Sequence, residues 1–373
     1  MIKILKKTCI LFFAMGVIMT VDVSCKQASD RPKGFQSNAI KVMTINVWSG
    51  LDYIGTFKMG EYETPQIREK RYQALLKEIA NLNPDIIAIN EANFLPDYMK
   101  RLASDLNYDY IYHVGVAGLK IGRLGIPTNL KEGDGLLARK QLQLQQVGHK
   151  KLSGGGIITN CFSFHTQDAT QVLEGRVIIN EKPVFVAVTH WHASPPDTPQ
   201  NRILLKELKE TYGYSDDEYT QAIQQLEADN KWRNNESIAM AEFLKKVVPA
   251  DAPCIVMGDF NTTIDSPEMR YFLSQGYHDT FLPSNNTSPY TWNPMENANI
   301  KKYYVTDTRT KFDSLYAHCT KINDLQPKTI DYILTNNVIP RTMIHSSTVC
   351  CTTLHDGYHP SDHFGVFAEI LIQ

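Results

Sequence analysis

Residues 254–263 read Cys-Ile-Val-Met-Gly-Asp-Phe-Asn-Thr-Thr. An apolar run, Cys254–Met257, stops at a glycine, and an acid and an amide then stand two positions apart at Asp259 and Asn261. The run predicts a buried strand. A carboxylate at the end of such a strand is costly unless a cation or a hydrogen-bond network receives it. An Asp-x-Asn pair can hold and orient an attacking water, because the carboxylate accepts a proton or hydrogen bond while the amide donates one.

Working outward, the pattern recurs along the whole chain. Ile40–Ile45 ends in Asn46, and Ile86–Ile89 ends in Asn90-Glu91. Val184–Val188 ends in Thr189-His190-Trp191-His192, Ile330–Leu334 carries Asp331 inside it, and Ser361-Asp362-His363 opens the final run, Phe364–Ile372. One acid at a strand end is most simply a satisfied structural group, but six independent accidents of this kind are a poor account of one chain. Asn, Glu and Asp offer hard oxygens, which suit Mg²⁺ or Mn²⁺ rather than zinc. A divalent ion offsets the charge with which a phosphodiester repels hydroxide and polarises its phosphorus–oxygen bond. A His–Asp pair orients and tunes an imidazole for proton transfer near neutral pH. These are the parts of a metal-assisted phosphoester hydrolase.

Between these ends, strands are predicted at Asp85–Ile89, Ile157–Phe164 and Val172–Ile179 as well. Thr64–Asn81 predicts a helix, with Thr64 as cap, Pro65 at its first position, Ile67, Leu75, Leu76 and Ile79 on one face, and Pro84 ending it. A second helix is predicted from about Asn234 to Val248 and a third over Pro267–Ser274. Strands and helices without regular alternation imply two packed sheets covered by helices. There is no internal repeat. Three long polar segments interrupt the frame: Trp48–Glu63, Ala193–Lys231 and Pro283–Pro327. Loops of this length tend to be functional or disordered. Within the second, Ser215–Asp229 is acidic and amphipathic and predicts a helical insertion, which a solvated surface helix would equally explain. Trp48, Tyr53, Phe57, Tyr62, Tyr290, Trp292, Tyr303 and Tyr304 lie on the other two and would either wall a substrate or anchor the loops.

The 373 residues are 21% charged and 43% apolar, with near-average glycine and proline, which excludes collagen-like and low-complexity chains. Met1–Lys7 holds three lysines and Cys9–Val21 is an apolar run of 13, short of the roughly 20 residues of a membrane span. Ser24-Cys25 and a polar stretch follow, so the start resembles a bacterial lipoprotein signal, with Asp22 standing where Leu is usual. The alternative is an ordinary cleaved signal with Cys25 incidental. Either way the chain is expected to be exported, with a signal over 1–24, a linker over 25–39 and one domain over 40–373. Membrane contact is then expected only through a lipid on Cys25. Beyond residue 24 the chain carries 35 basic and 39 acidic side chains, a net −4, without the basic footprint of a dedicated nucleic-acid binder. Five cysteines follow Cys25, at 161, 254, 319, 350 and 351, an odd number with no CxxC spacing. Cys254 reads as a small buried hydrophobe, and Cys319 with Cys350 or Cys351 as a disulfide candidate. Nothing in the sequence sets an oligomeric state.

The ordered set Thr44-Ile45-Asn46, Asn90-Glu91, Thr189-His190, Gly258-Asp259-Phe260-Asn261, Ile330-Asp331-Tyr332 and Ser361-Asp362-His363 resembles the endonuclease/exonuclease/phosphatase superfamily from Ile40 to the C-terminus. Gly133–Arg139 looks like that family's glycine-bounded mid-chain strand. The resemblance implies a four-layer α/β/β/α sandwich, two mixed sheets face to face with helices outside and the site at one edge. It implies Glu91 as main metal ligand, assisted by Asn46 and Asp362. Asp259 and Asn261 would orient water, and His190 would stabilise charge on the phosphate. His363, paired with Asp331, would act as general base or as a phosphate-contacting cation, with one metal ion or two. Two departures bear on substrate. Thr329 stands where many members have the Arg of an Arg-Ile-Asp-Tyr run, and His192, an exposed loop histidine or a substrate contact, replaces the usual residue type. Nucleic acid, a sphingomyelin-like headgroup, and a small phosphorylated metabolite or sugar phosphate all remain open, and the aromatic loops allow a compact or sugar-bearing substrate. A nuclease wants flanking Lys and Arg, and Lys301, Lys302, Arg309 and Lys311 form only a modest cluster. No long apolar hairpin marks a lipid enzyme. The reading leans to a general phosphodiesterase or phosphatase. A catalytically silent surface-binding protein of the same fold is the contrasting class, although every expected position is filled.

Overall fold

The computed structural model describes residues 39–52, 59–121, 124–158, 160, 163–165, 169–281, 290–304 and 311–372. The expected signal and the expected linker up to residue 38, together with Tyr53, Phe57, Cys161 and Arg309, lie outside the described residues. In chain order the elements are β1 (Ala39–Asn46), α1 (Pro65–Leu82), β2 (Ile86–Ala92), α2 (Asp97–Leu106), β3 (Tyr108–Ile121), β4 (Leu124–Arg139), β5 (Gln145–Lys151), β6 (Gly156–Ile158), β7 (Ser163–His165), β8 (Gln171–Ile179) and β9 (Lys182–His190). There follow α3 (Pro199–Tyr212), α4 (Asp216–Val247), β10 (Cys254–Asp259), α5 (Pro267–Ser274), β11 (Tyr277–Asp279), α6 (Ala298–Tyr303), α7 (Leu315–Asp324), β12 (Asp331–Asn336), β13 (Ile344–Cys350) and β14 (Gly365–Leu371).

The apolar runs form two six-stranded mixed sheets, β13-β14-β1-β2-β4-β3 and β11-β12-β10-β9-β8-β5. Each has one parallel pair at its centre, β1 with β2 and β9 with β10, and antiparallel neighbours on both sides. The alternation of each strand divides its side chains between two faces. Val42, Ile86, Ala88 and Leu136 of the first sheet meet Leu173, Val186, Ile255 and Ile333 of the second in the middle of the sandwich. The opposite face of the first sheet, with Met43, Ile45, Ile87 and Ile89, packs on Tyr72, Leu75 and Ile79 of α1 and on Met99 and Leu102 of α2. The opposite face of the second sheet, with Val172, Ala187 and Val256, packs on Met240 and Leu244 of α4 and on Met269 and Phe272 of α5. The four-layer α/β/β/α sandwich is therefore present.

Helix α1 starts as expected, with the Thr64 hydroxyl accepting from Ile67 N and Pro65 leading the first turn, and α5 has the expected limits. The insertion differs. Ser215–Asp229 and the expected second helix are one 32-residue helix, α4, opened by a Ser215–Glu218 capping box. Asp229, Arg233, Glu236 and Ser237 are buried polar residues on it, and they interrupt the apolar periodicity that would have shown one helix. Ile157–Phe164 is not one strand, since β6 and β7 turn back on each other as a short hairpin. The disulfide expectation also fails. Cys254, Cys319, Cys350 and Cys351 are free, and Cys319 packs with α3 and α4 while Cys350 and Cys351 pack under α1.

Candidate active site

Register places the polar strand ends together. Asn46 pairs with Asn90 across β1 and β2, and Asp259 lies between His190 of β9 and Asp331 of β12. The two parallel pairs end at the same edge of the sandwich, where side chains from both sheets meet. Asn46 Nδ2 donates to Glu91 Oε1 at 2.8 Å and to Asp259 Oδ2 at 3.1 Å. Asn90 Nδ2 donates to Thr189 O at 2.9 Å and to Asp134 Oδ1 at 2.7 Å, while its Oδ1 accepts from Asp259 N at 3.1 Å. Glu91 has φ +56° and sits where the β2–β4 register shifts. Such a bulge re-aims a side chain at the cost of local strain. Gly258, at φ +141°, admits no side chain, since a Cβ there would fall 2.0 Å from Thr189 O. Asp259 Oδ1 accepts from Asn261 N at 2.8 Å, and Asn261 Nδ2 donates to Trp191 O at 2.9 Å, which fixes the Asp-x-Asn pair.

His363, from the segment before β14, reaches across to the other sheet. Its Nδ1 lies 2.9 Å from Asp331 Oδ2 and its Nε2 3.8 Å from Asp259 Oδ2. Thr291 holds the Asp331 backbone by accepting from Ile330 N and Asp331 N, both at 3.1 Å. His190 Nε2 stands 3.7 Å from Asp259 Oδ2 and 4.0 Å from Glu91 Oε1. Burial disfavours charge on both imidazoles, but the carboxylates outweigh it: Asp259, Asp134 and Glu91 hold His190 up at about 9, and Asp331 and Asp259 hold His363 up at about 10. Burial and Asp331 push Asp259 up to about 6 against the pull of His363 and His190. Asp362 is likewise raised to about 6 by burial, with Glu91 adding repulsion and His363 and Arg71 opposing it. Burial also works against Glu91, yet His190 and Asn46 leave it below the usual carboxylate range.

Glu91, partly exposed, and Asp362, buried, are two carboxylates lining one cleft. The fixed cation nearby, Arg71, is already held by Glu63 at 2.6 and 2.7 Å and by the carbonyls of Val47, Trp48 and Pro360. The carboxylate oxygens of Glu91 and Asp362 are hard, a donor set that fits Mg²⁺ or Mn²⁺. Asn46 presents its amide nitrogen to Glu91, while its Oδ1 accepts from Trp48 N at 2.9 Å, so in this geometry it orients Glu91. Asp259, Asp331 and His363 also bring one ligand atom each within 4.8 Å of one another. There, however, the His363 Nδ1 contact with Asp331 already serves the acid–imidazole pair.

The open cleft has a volume of about 410 Å³, and Glu91, His190, Asp259, Asn261, Asp362 and His363 all line it. Its near wall is aromatic. Trp292 packs edge-on against His363 at 5.1 Å, and Tyr304 lies 5.5 Å from Trp292 and 6.1 Å from Trp48. The loop aromatics thus do both jobs, tying Trp48 and Tyr62 to Tyr303 and Tyr304 and closing one side of the site. On the far side His192 stacks on Trp232 and meets Asp229. Lys301, Lys302 and Lys311 do not line the cleft, and Lys302 and Lys311 sit over tyrosine rings.

All eight expected site residues therefore converge. Asp134, Gln171 and Thr291 were not expected to serve the site. Asp134 accepts from Asn90 and from Gln171 Nε2, at 2.7 Å each, and backs the Asn90 bridge. Its signal was in the sequence, an acid between two glycines ahead of an apolar run, as at Asp331. Gln171 and Thr291 carry no comparable mark.

No curated protein matches the chain in sequence. Among solved structures, D. rerio TDP2 complexed with single-strand DNA product superposes with a TM-score of 0.54 at 14% identity, covering 90% of this chain and 100% of that one. An endonuclease/exonuclease/phosphatase family protein from Bacteroides thetaiotaomicron gives 0.52 at 16% identity, covering 90% and 98%. Truncated Caenorhabditis elegans TDP2 gives 0.52 at 15%, also covering 90% and 98%. At these identities the likeness is one of fold. The profile of the Endonuclease/Exonuclease/phosphatase family matches residues 43–363, from the middle of β1 to the histidine that meets Asp331, and the chain belongs to that family.

Proposed function

We propose that this chain is an exported Mg²⁺-dependent phosphoesterase, with Mn²⁺ as a substitute, that hydrolyses a phosphodiester or phosphomonoester by attack of water. The observation that carries the reading is the meeting, in one cleft, of the Glu91–Asp362 carboxylates with His190, the Asp259–Asn261 turn and the His363–Asp331 pair. Glu91 and Asp362 would hold the cation, with Asn46 orienting Glu91. A bound divalent ion supplies charge neutralisation and polarisation of the phosphoryl group. Asp259, raised towards neutrality, accepts the proton or hydrogen bond of the incoming water, and Asn261 fixes its direction. His190 offers a positive donor to charge developing on the phosphate. His363, oriented by Asp331, serves as proton-transfer group or phosphate-contacting cation. The proposed export, with Cys25 as a lipid-bearing N-terminus, rests on the lysines and apolar run ahead of Ser24-Cys25.

A DNase-like nuclease or a sphingomyelinase-like phosphodiesterase would use the same centre. The lining argues against a long polyanion, because among the described residues Lys328 is the one Lys or Arg that lines the cleft. The test is hydrolysis of bis(4-nitrophenyl) phosphate and of 4-nitrophenyl phosphate with Mg²⁺, against chelator and Asp259→Ala. Turnover lost in both controls supports the reading, and the ester cleaved separates phosphodiesterase from phosphatase. Cation binding without turnover on any phosphoester would replace it with the silent surface-binding protein.

A further inference from the structure

The reacting groups take up only part of the cleft lining. His192 and Thr170 also line it, Glu132 lies near His190, and Asp324 and Lys328 lie beside Trp292. His192 follows His190 by two residues, but its surroundings differ. Its ring stacks on Trp232 with centroids 4.0 Å apart and planes 4° from parallel. Its Nε2 lies 3.1 Å from Asp229 Oδ1, and its backbone N–H donates to Glu236 Oε2 at 2.9 Å. Asp229, itself 3% exposed, also receives Gln225 Nε2 at 2.9 Å and the Tyr316 hydroxyl of α7. Glu236 also receives Ser153 at 2.5 Å and Thr170 at 2.6 Å. Two buried carboxylates and a stacked indole thus hold one partly exposed imidazole on the cleft wall, more support than an incidental loop histidine needs. Preorganisation of this kind is what a binding contact requires.

The charge of this wall decides what it can bind. Among the described residues Lys328 is the one Lys or Arg of the lining, and that charge is shared with Asp324 at 3.6 Å. Glu132 and Asp324 also line the cleft, and Asp229 and Glu236 stand directly behind His192. A leaving group with further phosphates would meet carboxylates. A neutral group bearing hydroxyls would meet acceptors in Glu132 and Asp324, a hydroxyl in Thr170, and the polar edge of His192.

Resting on the phosphoesterase reading, we infer that the cleft lining beyond the reacting groups is the leaving-group subsite, that it takes an uncharged polyhydroxyl group such as a sugar or polyol, and that His192 is its specificity residue, with Asp229 as positioning residue. A hydrogen bond between neutral partners is worth on the order of tenfold in affinity, and a site built to bond a hydroxyl discriminates strongly against groups that lack one.

The test uses the full chain with Mg²⁺ and four esters: glycerol 2-phosphate and glycerophosphoglycerol as polyol esters, and 4-nitrophenyl phosphate and bis(4-nitrophenyl) phosphate as aryl controls. Oligothymidylate serves as competitor. His192→Phe keeps the stack on Trp232 and removes the ring nitrogens. It should raise KM for the polyol ester by about tenfold or more and change kcat/KM for the matching aryl ester by less than about threefold. Asp229→Asn should shift the same ratio in the same direction by a smaller factor, and it carries the test if His192→Phe does not fold. Oligothymidylate should compete more weakly than the polyol ester. Equal losses on both ester types, unchanged KM for the polyol ester, or stronger competition by oligothymidylate would overturn the inference. Aryl turnover without polyol turnover overturns it and leaves the phosphoesterase reading standing, whereas absence of turnover on every ester overturns that reading first.

Discussion

His190→Ala separates a catalytic role from a structural one more cleanly than any other change at this site. The ring lines the cleft with 23% of its side chain exposed, and its closest acceptors, Asp259 Oδ2 and Glu91 Oε1, are 3.7 and 4.0 Å away. Truncation therefore breaks no short hydrogen bond among the described residues, and Asp259 and Glu91 keep Asn46 and the Asn261 and Ser49 backbone N–H groups as donors. The loss of a partly exposed ring and one charge should cost about 1–2 kcal/mol of stability, small enough to leave a cooperative melt. Catalysis should suffer far more. Removing one donor aimed at developing oxyanion charge costs about 2.7–4 kcal/mol, or roughly 10²–10³ in kcat. The loss should fall on kcat with KM nearly unchanged, since the contact strengthens only as charge develops. The neighbouring carboxylates hold His190 protonated until about pH 9, so wild-type turnover should decline on the alkaline side as that proton leaves, a limb the variant should lack. Steady-state kinetics on a nitrophenyl ester across pH, with a thermal melt of both proteins, decides it. A kcat within a few-fold of wild type, or a variant without a melting transition, would refute the reasoning.

Three further changes probe the parts that hold this centre. Asp331→Asn replaces the charged acceptor of His363 Nδ1 with a neutral amide that can also donate, which lets the ring take the other tautomer; kcat should fall by about 10²–10⁴ with the fold retained, measured as turnover beside circular dichroism. Gly258→Ala puts a Cβ 2.0 Å from Thr189 O at φ +141°, and the clash should cost about 3 kcal/mol or more, read as a fall in the urea midpoint. Glu174 on β8 is fully buried with both carboxylate oxygens unpartnered, and burial raises its carboxyl well above the usual range. A raised folded pKa means that its contribution to stability is intact below the ordinary value near 4.5 and is lost as pH rises, by about 1.4 kcal/mol per unit until the folded group ionises. Glu174→Gln should therefore melt progressively higher than wild type from pH 5 to 8; parallel melting curves across that range would contradict the assignment.

What the sequence made legible was local. An apolar run closed by Asn, Glu, Asp or His says that a buried strand delivers a polar group to an edge, and β1, β2, β9, β10 and β12 do so. What stayed hidden depends on contacts far apart in the chain or on polar residues turned inward. The long β3–β4 hairpin was anticipated only in its Gly133–Arg139 stretch. Helix α4 reads in the sequence as two pieces because its buried face carries Asp229, Arg233, Glu236 and Ser237, and Arg233 is fully buried against Glu268 of α5 at 2.8 Å. Those inward polar groups are the ones that brace His192, so the failure of periodicity fell where the chain builds the far wall of its cleft.

The division of the centre between two sheets explains why its strand ends are so polar. The first sheet and its flanking segments supply Asn46, Asn90, Glu91, Asp362 and His363, and the second supplies His190, Asp259 and Asp331. The joining contacts cross from one to the other: Asn46 to Asp259, Asn90 to Thr189 and Asp259, and His363 to Asp331. A sheet edge on its own would bury acids without partners, which is expensive. Face to face, each edge supplies the donors and the charge that the other needs. The apolar layer between the sheets, from Val42 and Ile86 to Val186 and Ile255, therefore sets the geometry of the site as well as the stability of the fold. Loosening that layer should misalign the Asn46–Asp259 and His363–Asp331 pairs before it unfolds the chain, because hydrogen bonds fail over a few tenths of an ångström while hydrophobic contact declines gradually.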